Sequence, residues 1–270
     1  MFFLYICKNK IEEGNTSINL FPLLKYFIMA RLERPQTANA NPSKKFLQWK
    51  SNEKHFAYWD KDKEENVSLE LPLKFLFLEH YHTVKGWHGA TDKGIVANEV
   101  YALGTEPLKV RTFGGLEIAE GIYKDIKEKV NVSGGVYYRS VYVMLEDGTI
   151  ANLQLKGAVV GGLKPEQSVK KILVDGYSEF YNKNKNLLDN QWIEVNSFED
   201  AKKGATKYSI PVFTLGGAID TESNDLANEC AKELQEYVNQ YKGAKTEVKE
   251  ENTIDESAED DEDLDLDLGF

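Results

Sequence analysis

Gly134-Gly135-Val136-Tyr137-Tyr138-Arg139-Ser140-Val141-Tyr142-Val143-Met144-Leu145-Glu146-Asp147-Gly148-Thr149-Ile150-Ala151-Asn152-Leu153-Gln154-Leu155 is the stretch that decides the fold class. The glycine pair breaks whatever precedes it. Val136–Leu145 is rich in β-branched and aromatic residues, and Glu146-Asp147-Gly148 turns the chain back into the apolar Thr149–Leu155. Two such runs joined by a tight acidic-glycine turn make an antiparallel hairpin.

Working outward, strand signals recur upstream. Val67, Leu69, Leu71 and Leu73 alternate with polar or proline residues before the denser Phe75–Leu78, and further extended runs lie at Ile95–Leu103 and Leu108–Phe113. After Gly114-Gly115 the period changes, and Ile118, Ile122, Ile126 and Val130 predict a helix. Downstream, Pro165 opens a second predicted helix with Val169, Ile172, Leu173 and Phe180 on one face. Two late strands are expected at Trp192–Val195 and Tyr208–Leu215. A last helix is expected from Asp225 to Tyr241, stacking Leu226, Cys230, Leu234, Tyr237, Val238 and Tyr241 on one side. Seven or eight short strands in clusters, with three helices inserted or appended, exclude the strict alternation of a doubly wound parallel sheet. The expected class is α+β: a small antiparallel barrel of the oligonucleotide-binding (OB) type, decorated with helices.

Charge divides the chain of 270 residues unevenly. Of 44 acidic residues, twelve lie between Glu247 and Phe270 beside the single base Lys249, so the rest balances at 32 against 32. The protein is a neutral body with an acidic flag. Only Cys7 and Cys230 are present, too few for a disulfide framework or a four-cysteine zinc site, which fits a reducing cytosol. No apolar run approaches the roughly 20 residues that span a bilayer. Residues 1–43 read as an N-terminal extension, polar and disordered from Ala30. Residues 1–28 read as translated upstream sequence ahead of a start at Met29, the alternative being an amphipathic docking segment. The expected organisation is therefore extension 1–43, binding domain 44–246 and acidic tail 247–270.

Enzymatic vocabulary is sparse. There is no Walker loop, Gly-x-Ser-x-Gly, His-Glu-x-x-His or Cys-x-x-Cys, and the four Gly-Gly pairs sit where one element gives way to another. His80, His82 and His88 lie within nine residues, with Glu79 and Asp92 alongside. On a strand His80 and His82 share a face, a spacing zinc can use, but no cysteine partner or second cluster accompanies them. They are expected as polar, partly aromatic surface; no metal and no cofactor is expected.

Basic and aromatic residues interleave more strongly. Lys44, Lys45, Phe46, Trp49, Lys50, Lys54, His55, Phe56, Tyr58, Trp59 and Lys61 fall within eighteen positions. A second cluster holds Tyr81, Lys85, Trp87 and Lys93 among the histidines. A third puts Tyr138, Ser140 and Tyr142 on one strand face beside Arg139. Rings that stack bases and cations that track phosphates are what a single-strand groove requires, although about half of such rings belong in a core.

The chain ends Asp263-Leu264-Asp265-Leu266-Asp267-Leu268-Gly269-Phe270. An acidic segment poor in aromatics does not fold, and a terminal ring with the chain carboxylate forms a compact docking ligand. With this tail the chain resembles the single-stranded DNA-binding proteins of bacteria and tailed bacteriophages. Gly94-Ile95-Val96-Ala97-Asn98-Glu99-Val100, Gly121-Ile122-Tyr123-Lys124-Asp125-Ile126 and Lys203-Gly204-Ala205-Thr206-Lys207-Tyr208 look most like those of crAss-like phages. The resemblance implies coating of single-stranded DNA during replication or recombination in the host bacterial cytoplasm. It also implies that the tail recruits replication proteins, and that there is no reaction and no membrane partner. Gly269 stands where the usual bacterial tail has proline. Two other readings are a metal-dependent hydrolase using the histidines, and a virion or DNA-mimic interaction protein.

Overall fold

The computed structural model describes residues 40–163 and 174–243. The extension before residue 40, the segment Pro165–Leu173 and the acidic tail with Asp263, Leu264, Asp265, Leu266, Asp267, Leu268 and Phe270 lie outside the described residues.

Eleven strands form one sheet: β1 Lys45–Lys50, β2 His55–Asp60, β3 Glu65–Leu69, β4 Leu73–His88, β5 Lys93–Ala97, β6 Leu108–Thr112, β7 Glu117–Gly121, β8 Gly135–Leu145, β9 Ile150–Leu155, β10 Gln191–Lys203 and β11 Thr206–Ala218. Among the described residues four helices accompany them: α1 Tyr123–Val132, α2 Ala158–Gly161, α3 Tyr177–Asn184 and α4 Thr221–Gly243. The main path runs β3-β2-β1-β9-β8-β4-β5-β6-β7, with β10 pairing the start of β4 and β11 pairing β10. All pairings are antiparallel except β1 with β9. The class is α+β as expected, but the end strands β3 and β7 do not pair, so the sheet is open and larger than the small barrel foreseen.

The β8–β9 hairpin forms as its sequence dictates, with Met144 opposite Ile150 and Gly148 at φ 74° in the turn. The helix expected from Ile118 starts only at Tyr123. Ile118 lies instead on β7, because a spacing of four suits a period of two as well as one of 3.6. Gly121, at φ 149°, separates the two elements. The late strands are longer than expected and make one hairpin, turning at Gly204 with φ 58°. α4 begins four residues before the expected start, where the Asp220 carboxylate accepts from the Ser223 N–H at 2.7 Å.

Two cores lie on opposite faces of the sheet. The larger includes Leu47, Phe75, Val84, Val110, Tyr137, Val141, Val143, Leu153 and Ile193, roofed by Ile126 and Val130 of α1 and Tyr177 and Phe180 of α3. On the other face, Cys230, Leu234 and Val238 of α4, each four residues apart, cover Leu76, Tyr81, Tyr142, Met144, Ile150 and Trp192. Cys230 is a core residue, as the helical spacing implied.

The sheet is also strongly coiled. Phe46 opposes Asn152, which opposes Tyr142, whereas Lys85 opposes Val136. On a flat sheet these positions would stand about 25 Å apart, from three strand spacings and six residues of rise. Yet the Lys85 ammonium lies 5.6 Å from the centre of the Phe46 ring. The face bearing both is therefore concave along that diagonal.

Candidate nucleic-acid interface

β8 alternates between two environments. Tyr137, Val141, Val143 and Leu145 enter the larger core, while Val136, Tyr138, Ser140, Tyr142 and Met144 point to the face that α4 partly covers. Register extends that second face across the sheet. Val136 opposes Lys85, Lys85 opposes Val96, Val96 opposes Arg111, and Trp87 opposes Gly94. In the other direction Ser140 opposes Gln154, and Gln48 on β1 donates from Nε2 to Gln154 Oε1 at 3.2 Å. Trp59 follows two residues after Ala57, the partner of Gln48, and so faces the same way.

Beyond α4 this face is open, and it carries apolar groups that a core would normally take in. Phe46 is 38% exposed, Trp59 55%, Trp87 57%, Phe113 76% and Val136 44%. Phe113 lies across the backbone of Gly94, where an added Cβ would meet the ring at 2.6 Å. A side chain at that position, the register partner of Trp87, would push the ring aside. Cations alternate with these rings. Lys85 reaches Phe46, Lys156 stands 5.5 Å over the Tyr138 ring, and Lys50, Lys44 and Arg111 are on the same side by alternation. Burial lowers the Lys85 ammonium below the usual lysine range, and the Glu99 carboxylate works against that shift. A partly desolvated ammonium gains more from a phosphate than a hydrated one does.

The border between the covered and open halves is polar. Ser140 Oγ and Tyr142 OH donate to the two oxygens of Glu99, at 2.5 and 2.9 Å, and Asn152 Nδ2 donates to Ser140 Oγ at 2.6 Å. Burial first, then the neighbouring Glu99, pushes the Tyr142 phenol far above its usual value, so it stays a donor.

The structure sorts the expected site residues. Trp59, Lys85, Trp87 and Tyr138 share the open face, and Lys44 is exposed at its edge. Lys61 and Lys93 are exposed in or beside turns on the rim. Phe56 is fully buried in the larger core, and Tyr81 and Tyr142 lie beneath α4, so none of the three can stack a base. Trp49 packs edge-on against Phe56 and donates from Nε1 to the Ser209 carbonyl at 2.9 Å, and Tyr58 packs on the larger core with Lys45 over its ring. Lys45 pairs with Asp147 and Lys54 with Asp200. Arg139 turns to the opposite face, its Nη1 3.0 Å from His80 Nε2. Phe113, Val136, Lys156 and Arg111 complete the open face without having been expected there. The signal for Phe113 was available, since it stands two residues after Arg111 on an alternating run.

The histidines are not surface. His80 and His82 are buried, with His80 Nδ1 3.4 Å from Tyr177 OH and His82 Nδ1 2.6 Å from Tyr137 OH. Burial, then the Arg139 charge, lowers their pKa values to about 3 and about 2, so both rings are neutral. His88 is apart, in contact with Thr91 Oγ1 at 2.8 Å. Among the described residues no group of three His, Cys, Asp or Glu side chains is placed to share a metal ion. Among the same residues no helix is long and apolar enough to cross a membrane. No family model, curated protein or solved structure matches the chain.

Proposed function

We propose that the open face binds single-stranded DNA without sequence preference and protects it during phage replication or recombination in the bacterial cytoplasm. In this reading the coiled sheet serves as an enlarged OB-like platform, and the acidic tail from Asp263 to Phe270 recruits replication proteins. One observation carries the proposal. Phe46, Trp59, Trp87, Phe113 and Val136, large apolar side chains left exposed on this one sheet face, alternate with Lys50, Lys85, Lys156 and Arg111, and the exposed acids Glu117 and Glu120 stand at its edge on β7. Rings offer flat apolar surface to unpaired bases whatever their identity, and the cations meet the phosphates between them. A duplex keeps its bases stacked on one another and leaves such rings unused.

Titration of oligonucleotides at two or more salt concentrations tests the reading. Contact with Z phosphates makes log K fall with log salt at a slope near −0.7Z, with quenching of Trp59 and Trp87 fluorescence. Affinity that ignores salt, or that favours duplex over single strand, would overturn it.

A further inference from the structure

Where the open face meets the start of β11 it deepens into a cavity of about 590 Å³. This lies within the range of pockets that hold small ligands. Its floor is the sheet itself, with Gln48, Gln154, Val136 and Tyr138, and its cationic side is Lys50 and Lys156. The opposite wall is fixed. Ser51 Oγ donates to the Ser209 carbonyl at 2.7 Å and accepts from the Ser209 N–H at 2.7 Å, and Ser209 Oγ returns a bond to the Ser51 carbonyl. With the Trp49 indole on the same carbonyl, the β1–β2 turn and β11 form a clamp that needs no ligand to assemble. Among the described residues the only carboxylate in the lining, Glu53, is turned aside to His55 at 3.1 Å.

Three features of this cavity converge on one ligand class. Tyr138 presents a half-buried aromatic wall, over which the exposed Lys156 rests in the free protein. The Gln48–Gln154 amide pair uses one donor and one acceptor on each other. The pair itself does not use the Gln154 amide N–H₂ or the Gln48 amide oxygen, and an equivalent set remains if both amides are turned over. A flat apolar wall, an adjacent donor and acceptor, and two ammonium groups match the face, the edge and the phosphate of a single nucleotide.

We infer that this cavity takes one nucleobase turned out of the bound strand, stacked on Tyr138 and hydrogen-bonded along its edge by Gln48 and Gln154, with Lys156 displaced onto its phosphate. The inference rests on the single-strand reading of the open face and locates one nucleotide of the strand on it. Each base edge has donor and acceptor atoms, so the pocket seats a base without choosing among the four. The stacked aromatics elsewhere on the face leave their bases exposed at the edges, whereas this base meets polar partners along one edge as well.

The experiment uses the full chain and two probes, a short oligothymidylate and thymidine 5′-monophosphate, with deoxyribose 5-phosphate as the control. It reads tryptophan quenching together with the side-chain amide NMR signals of Gln48 and Gln154. The expected result is that the oligonucleotide quenches tryptophan and shifts both amide signals, that the monophosphate shifts the amides with no more quenching than Trp49 at the cavity wall supplies, and that the control shifts neither. Gln154→Leu, close in volume, should then weaken oligonucleotide binding about tenfold while leaving the quenching amplitude at saturation unchanged. Quenching by the oligonucleotide with both amide signals unmoved would overturn the pocket and leave the single-strand reading intact. If no oligonucleotide binds, that reading fails. Monophosphate-induced amide shifts would still support a nucleotide pocket in that case, and their absence would overturn it.

Discussion

Tyr138 and Tyr142 stand four residues apart on the same face of the same strand, yet they belong to different parts of the molecule. Tyr142 lies under α4 and gives its hydroxyl to Glu99, whereas Tyr138 lies beyond the helix with Lys156 above its ring. The strand treats them alike. What separates them is where α4 stops covering the sheet, and the Glu99–Ser140–Asn152 network marks that boundary. One face thus supplies stability at one end and, in the proposed reading, a binding surface at the other, so the two ends should respond in opposite ways to substitution.

The largest effect is expected under the helix. Leu234→Ala removes a buried side chain from the smaller core and should cost about 2–5 kcal/mol of stability, read from denaturant unfolding. DNA affinity measured well below the unfolding transition should stay within twofold. A comparable loss of affinity in the folded variant would show that α4 shapes the open half and would erase the division.

Acid tests the opposite side of β8. His80 and His82 are neutral in the folded protein, with pKa values of about 3 and about 2, and take up protons near 6.5 when unfolded. The unfolded chain therefore binds more protons below pH 6.5. The contribution of the two rings is complete above that value and is lost as pH falls toward 3. Between pH 6.5 and 5 the loss should be about 3 kcal/mol for the pair. His82→Asn should flatten the pH dependence of unfolding in this window, above the range where carboxylates titrate. An unchanged slope would place His82 in contact with water.

The smallest effect sharpens the comparison most. Trp87→Ala on the open face should weaken single-stranded DNA binding by about 1–3 kcal/mol and leave the melting temperature within about 2 °C. Tyr142→Phe should do the reverse, lowering stability through the loss of the donor to Glu99 Oε2 while binding is retained. Equal behaviour of the two variants would remove the distinction between the halves.

The sequence marked these elements better than their surroundings. The β8–β9 hairpin, the amphipathic α4 and the burial of Cys230 are local matters of period and turn chemistry, and each was legible. The sorting of rings was not, because Phe56 and Trp59 sit on opposite faces of one strand and only the partners of that strand decide which face is core. Tyr81 was lost to the same cause, since the helix that buries it lies about 140 residues downstream. The long basic-aromatic stretch from Lys44 to Lys61 gave no clear strand signal either. β1 and β2 carry rings on both faces, which blurs the alternation.

The parallel pairing of β1 with β9 has a consequence for how the protein is made. Lys45 must find Ala151, 106 residues later in the chain. A ribosome adding about 5–20 residues per second leaves β1 waiting roughly 5–20 s for its neighbour. During that interval the edge of β1 away from β2 presents a row of unpaired backbone groups, and several rings are uncovered. Lysines at 44, 45, 50 and 54 line this early hairpin. Charges on an exposed strand discourage nascent chains from pairing with one another. Two of them, Lys44 and Lys50, border the finished open face and so guard the growing polypeptide before that face exists.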